Sequence, residues 1–134
     1  MRKLSFLILM ILLPMLTSAA VKIDGIYYNL DSGAKTAEVT ENPNKYQGDV
    51  TIPGTFEYGG TTYSVTAIGQ RAFAFCRSLT SVTMCNSVTF IGDYAFSNCN
   101  GLISITIPDG VTSIGEYNQE IKGETNVEII PVSA

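Results

Sequence analysis

The sequence predicts a mainly β solenoid, a short one of about two and a half 23-residue coils behind an N-terminal β-hairpin cap. Three observations carry this. Val65-Thr-Ala-Ile68-Gly69-Gln-Arg-Ala72-Phe73 returns as Val88-Thr-Phe-Ile91-Gly92-Asp-Tyr-Ala95-Phe96, and a third copy starts at Val111-Thr-Ser-Ile114-Gly115. The same step carries Cys76 to Cys99, Leu79 to Leu102, Val82 to Ile105 and Met84 to Ile107. Glycine, aromatic and aliphatic positions thus keep one register, as they do in units that bury their apolar side only by stacking on each other.

Residues 1–20 read as a signal peptide. Arg2 and Lys3 precede the apolar run Leu4 to Leu16, and Thr17-Ser18-Ala19-Ala20 supplies small residues for a cut before Val21 or one residue earlier. The run is shorter than the roughly 20 residues of a spanning helix. Removing it leaves six basic residues against twelve acidic ones, a net charge of −6. The basic residues are scattered, which argues against nucleic acid and anionic membrane surfaces as partners.

Residues 21–64 lack the repeat and form the expected capping segment. Ile26 to Leu30 and Thr36 to Thr40 flank the turn-rich Asp31-Ser32-Gly33-Ala34-Lys35, a hairpin signal. Val50-Thr51-Ile52 reads as a short strand stopped by Pro53, and Gly59-Gly60 separates Phe56-Glu57-Tyr58 from Tyr63-Ser64-Val65 in a second hairpin. Tyr27, Tyr28, Tyr58 and Tyr63 lie in these hairpins, either as half-buried sheet residues covering the first coil or as an aromatic ligand-binding face.

Residues 65–134 form the array, divided as 65–87, 88–110 and a degenerate 111–134. Each unit has two short strands and a helical turn. Leu79-x-x-Val82-x-Met84 and Leu102-x-x-Ile105-x-Ile107 fit L-x-x-L-x-L, the strand signature of leucine-rich repeats, so Ser81, Thr83, Ser104 and Thr106 face outward. After a turn, Val-Thr-x-Ile forms the second strand and ends at Gly69, Gly92 or Gly115, where a sharp corner with positive φ is expected. In Ala-Phe-x-x-Cys, the three-residue spacing of Phe73 and Cys76, or of Phe96 and Cys99, suits one face of a helical or 3₁₀ turn. Stacking would then build ladders of Ile68, Ile91 and Ile114, of Phe73 and Phe96, and of Leu79 and Leu102. In the third unit the Ala-Phe step becomes Asn118-Gln119, the cysteine Lys122 and the leucine Thr125. This is either a polar C-terminal cap or the remnant of a longer array.

Catalytic residues, metal ligands and cofactor sites are not expected. Histidine is absent, which removes the commonest general base and metal ligand. The pairs Glu116/Glu120 and Glu124/Glu128 sit in the charge-rich last unit, and no phosphate loop, nucleophile elbow or calcium-loop spacing occurs. Three cysteines spaced 9 and 14 apart give no zinc pattern. Cys76 and Cys99 recur with the repeat as small buried packing groups, although neighbouring coils could also bring them within disulfide reach. Cys85 stands where Pro108 and Pro131 follow, as an exposed thiol, an intermolecular bridge or an inert replacement for proline.

The motif Ile-Gly-x-x-Ala-Phe-x-x-Cys-x-x-Leu-x-Ser-[Val/Ile]-Thr-[Met/Ile]-x-x-x-Val-Thr resembles the BspA-like leucine-rich-repeat family of bacterial surface and secreted proteins. The resemblance covers residues 65–115 closely and extends weakly to Pro131. It implies an exported, non-enzymatic protein, secreted, periplasmic or cell-surface associated, whose solenoid binds a protein or an extracellular-matrix or host-surface partner. Ser81, Thr83, Ser104 and Thr106 are the candidate contact face. The alternative is a structural spacer or a self-associating module that pairs through an edge strand.

Overall fold

The structure, a computed structural model, describes residues 19–118 and 128–131. Residues 1–18 of the expected signal peptide lie outside the described residues, as do Gln119, Glu120, Lys122, Glu124 and Thr125 of the last unit. Among the described residues the chain is strands and turns, with no helix. No helix there is long and apolar enough to cross a membrane.

In the N-terminal segment, β1 (Val21–Ile23), β2 (Ile26–Asp31) and β3 (Thr36–Val39) form an antiparallel meander. β4 (Gly48–Thr51) follows, and β5 (Thr55–Tyr58) then pairs antiparallel with β6 (Thr61–Ile68). Both two-residue connections, Asp24-Gly25 and Gly59-Gly60, have positive φ at both positions, as the favoured hairpin turn demands. In the repeats, β7 (Leu79–Thr83), β8 (Phe90–Ile91), β9 (Ser104–Ile107), β10 (Ser113–Ile114) and β11 (Glu128–Pro131) alternate between two sheets.

The first sheet runs β1-β2-β3-β6-β8-β10 with β5 on β6, and the second runs β11-β9-β7-β4. Every pairing between successive repeats is parallel, and the step is 23 residues from Ile68 to Ile91 and Ile114 and from Val82 to Ile105, lengthening to 24 where Ile105 meets Ile129 on β11. Main-chain bonds repeat with it, Gly92 N to Ile68 O and Gly115 N to Ile91 O, both 2.8 Å. The core lies between the sheets. Val65, Ile68, Phe73, Leu79, Val88, Ile91, Phe96 and Ile105 are fully buried there, whereas Ile114, in the last unit, is half-exposed. Burying side chains of this size contributes about 1.5 to 3 kcal/mol each.

The segment ahead of the repeats does more than cover them. β3 pairs in parallel with β6, and β4 in parallel with β7, so each sheet gains a strand in front of its first repeat strand. Tyr46, between β3 and β4, packs against Phe73 with ring centroids 4.7 Å apart and a 40° tilt, and Phe73 stacks on Phe96 at 5.1 Å and 5°. The buried Tyr46 hydroxyl accepts from Tyr27 N–H at 3.0 Å and donates to Thr40 O at 2.7 Å.

Two local expectations are corrected. The segment holding Phe73 and Cys76 is a series of overlapping tight turns, not a helical turn: Ala72 N bonds Gly69 O, Ala74 N bonds Arg71 O, and Cys76 N bonds Phe73 O. Arg71 and Phe75 have φ of 61° and 60°, and their counterparts Tyr94 and Asn98 have 59° and 60°. Left-handed backbone every few residues breaks helical continuation while still burying Phe73 with Cys76 and Phe96 with Cys99. The repeat glycines do not have positive φ either. They are there because coils approach closely. A Cβ on Gly69 would come within 2.8 Å of Val39 O, one on Gly92 within 2.7 Å of Gln70 N, and one on Gly115 within 2.6 Å of Asp93 N.

The last unit ends differently. Asn118 occupies the alanine position of the repeat and is completely buried. Its Oδ1 accepts from Phe96 N–H at 2.9 Å, and its Nδ2 donates to Gly92 O, Gly115 O and Glu116 O at 3.0, 3.1 and 3.3 Å. One coil earlier the equivalent bond is made by main chain alone, Phe73 N to Ala95 O at 2.7 Å.

Candidate binding surface

The second sheet presents its side chains in rows, because parallel in-register pairing puts equivalent residues side by side. One row is Asp49, Ser81 and Ser104, and the next is Thr51, Thr83 and Thr106. Leu79, Val82, Met84, Leu102 and Ile105 point the other way into the core. Thr51 and Thr83 are exposed, while Ser81, Ser104 and Thr106 are half-buried. All four sequence-derived contact residues therefore lie on this one sheet.

Asp49 and Thr51 enlarge this surface by a strand that the repeat pattern alone misses. The Asp49 carboxylate accepts from Thr80 Oγ1 and Ser81 Oγ, both at 2.8 Å. The strand register slips by one at this point, pairing Gly48 with Leu79 and Asp49 with Ser81, and the skipped Thr80 reaches the same oxygen. The Ser81 and Thr80 hydroxyls hold the Asp49 carboxyl below its ordinary value, so the row keeps a negative charge at neutral pH. Ser81 is accordingly committed to an internal bond. A signal for β4 exists in the sequence: Val50-Thr51-Ile52-Pro53 matches Ile105-Thr106-Ile107-Pro108.

The four hairpin tyrosines do not form one face. Tyr28 and Tyr63 are buried against Phe56, at centroid distances of 4.4 and 5.8 Å, while Tyr58 is exposed and Tyr27 lies under Lys22 Nζ at 5.7 Å. Burial, and secondarily the charge of Asp24, pushes the Tyr28 phenol up to about 12. Cys76 and Cys99 are buried, Cys85 is half-buried, and no disulfide joins them among the described residues. Cys99 Sγ donates to Phe73 O at 3.0 Å, and burial pushes the Cys76 thiol up, away from thiolate reactivity. No group of three or more potential metal-ligating side chains occurs among the described residues.

Residues 56–131 match the family described as BspA type leucine rich repeat region (6 copies). The chain belongs to this family. The BspA-type chain is similar to a leucine-rich-repeat protein from Bacteroides ovatus, with 34% identity and a TM-score of 0.68 over 81% of this chain and 28% of that one. It is also similar to a leucine-rich cell surface protein from Faecalibacterium prausnitzii, with 29% identity and a TM-score of 0.63 over 84% of this chain and 30% of that one. It thus spans under a third of the length of either. A leucine-rich-repeat protein from Bacteroides capillosus, 22% identical, shares the fold with a TM-score of 0.59 over 84% of this BspA-type chain and 98% of its own. No curated protein matches the chain.

Proposed function

We propose that this chain is an exported, non-enzymatic binding module: a solenoid of about two and a half repeat coils that engages a protein or an extracellular-matrix or host-surface partner through its second sheet. The observation that carries this reading is the pair of polar rows, Asp49-Ser81-Ser104 and Thr51-Thr83-Thr106, spread over three parallel strands. A rigid sheet holds these groups at fixed spacing, so a partner meets hydroxyls and a carboxylate without ordering a loop. Membership of the BspA-type family and the cell-surface description of the Faecalibacterium protein support export and surface binding.

Retention on immobilised host extracellular-matrix extract tests the reading. Wild-type chain should be retained and the Ser81→Arg/Thr106→Arg variant should lose most retention, with its unfolding transition in place. Equal retention of the two would remove this face from the function.

A further inference from the structure

We propose that the outer edge of β4 is a second binding site, one that takes a basic, extended peptide segment of a partner protein as an added β-strand. The N-terminal end of the stack is stepped. The first sheet continues beyond β3 through β2 and β1, whereas the second sheet stops at β4. The step is two strands wide, about 9.6 Å at ordinary strand spacing. Two clefts of about 210 and 220 Å³ lie in it, and they share Asp24, Ile26 and Thr51. Together they run beside β4 from the Tyr46 side to Phe56 on β5, with Ile26 and Tyr28 of β2 as the opposing wall.

The main chain of β4 is half used. Gly48 N bonds Ser78 O at 2.9 Å and the following Ile52 N bonds Thr83 O at 2.8 Å, both towards β7. Alternation along a strand turns the N–H and C=O groups of Asp49 and Thr51 the other way, into the step, and β7 is the only strand that pairs with β4 among the described residues. Unpaired edge groups lined by a cleft form the receptor half of strand addition, in which main-chain bonds give affinity and alternate side chains give specificity.

Charge selects the occupant. Asp24 lines both clefts and Asp49 lines one, and no lysine or arginine lines either. A second copy meeting the step with its own β4 edge would bring Asp24 and Asp49 against their counterparts and be repelled. A partner segment alternating basic with small apolar side chains meets the carboxylates with one set and the half-buried Ile23 and Phe56 of the cleft with the other. This site rests on the premise, shared with the function proposed above, that the chain binds proteins; of the two rows it takes only Asp49 and Thr51 at the β4 edge, through their main-chain groups and the Asp49 carboxylate, and none of the hydroxyls of β7 and β9.

The probe is a fluorescein-labelled hexapeptide of alternating lysine and valine, titrated with the full chain and read by anisotropy. Saturable binding is expected. N-methylation of one alternate set of its residues should weaken binding about tenfold or more, and methylation of the other set should leave it unchanged, because only one edge of the peptide bonds to β4. Asp24→Asn should weaken binding several-fold. Thr106→Arg should leave it unchanged, which separates this site from the hydroxyl rows. Absence of saturable binding, equal binding of both N-methylated peptides, or equal binding of a peptide with glutamate in place of lysine would each overturn the proposal.

Discussion

At the N-terminal end of the phenylalanine stack Tyr46 lays its ring on Phe73, whereas at the C-terminal end a much smaller group, the Asn118 amide, takes the Phe96 N–H. Between them, the Phe73 N–H is met by main chain, Ala95 O at 2.7 Å, with no side chain in the bond. At either end a side chain with a polar tip makes bonds that main chain makes in the middle. Tyr46 adds aromatic area to its two hydrogen bonds, and Asn118 supplies hydrogen bonds alone. The N-terminal closure should thus tolerate loss of its polar tip better than the C-terminal one does.

Removing the stack itself is the harshest test. Phe96→Ala takes away a fully buried ring next to Phe73, and equilibrium denaturation should show a loss of about 3 to 5 kcal/mol. Asn118→Leu leaves Phe96 N–H buried without its acceptor and should cost about 1 to 3 kcal/mol. Tyr46→Phe keeps the ring and removes only the hydroxyl, so about 1 kcal/mol is expected. A larger loss for Tyr46→Phe than for Asn118→Leu would reverse the comparison between the ends.

The ends should also separate on alkaline titration. Tyr28 packs near the N-terminal end with its phenol at about 12 instead of the ordinary 10.0, and burial pushes the Tyr46 phenol up as well. A raised folded-state value favours the protonated form. Its contribution is therefore complete below pH 10 and is lost as pH rises from 10 towards 12. Tyrosinate absorbance followed with circular dichroism should show these phenols ionising together with unfolding. Early ionisation without loss of structure would contradict their burial. An amide at the C-terminal end brings no such titration.

Much of this arrangement is legible in the residues. A strict 23-residue step puts Val82 beside Ile105 and Ile68 beside Ile91, and two flanking glycines mark the β5–β6 hairpin. β4 is read as a short strand from Val50-Thr51-Ile52, but its place beside β7 is harder to see because its Val50-Thr51-Ile52-Pro53 stands 32 residues before Val82-Thr83-Met84-Cys85, the β5 hairpin having been inserted between. A search at the repeat period passes over it, and Asp49 with it. The spacing of Phe73 and Cys76 fits a helical turn and a pair of tight turns equally. What decides is left-handed backbone at Arg71, Phe75 and Tyr94, residue types with no preference for it. Gly92 reads as a corner residue, but its reason is the main chain of Gln70 in the adjacent coil. Asn118 looks like decay of the motif because composition alone cannot show that a polar residue is buried with its hydrogen bonds made.

The repeat's fixed residues maintain the fold, and the proposed binding belongs to the second sheet. Thr106 and Thr112 offer the sharpest comparison, being threonines of neighbouring units on different sheet surfaces, Thr106 in β9 and Thr112 beside β10. The direct measurement is the binding isotherm of Thr106→Arg and Thr112→Arg on immobilised host extracellular-matrix extract. Thr106→Arg should bind about tenfold or more weakly and Thr112→Arg like wild type. Equal binding by the two variants would contradict the assignment of function to the hydroxyl rows.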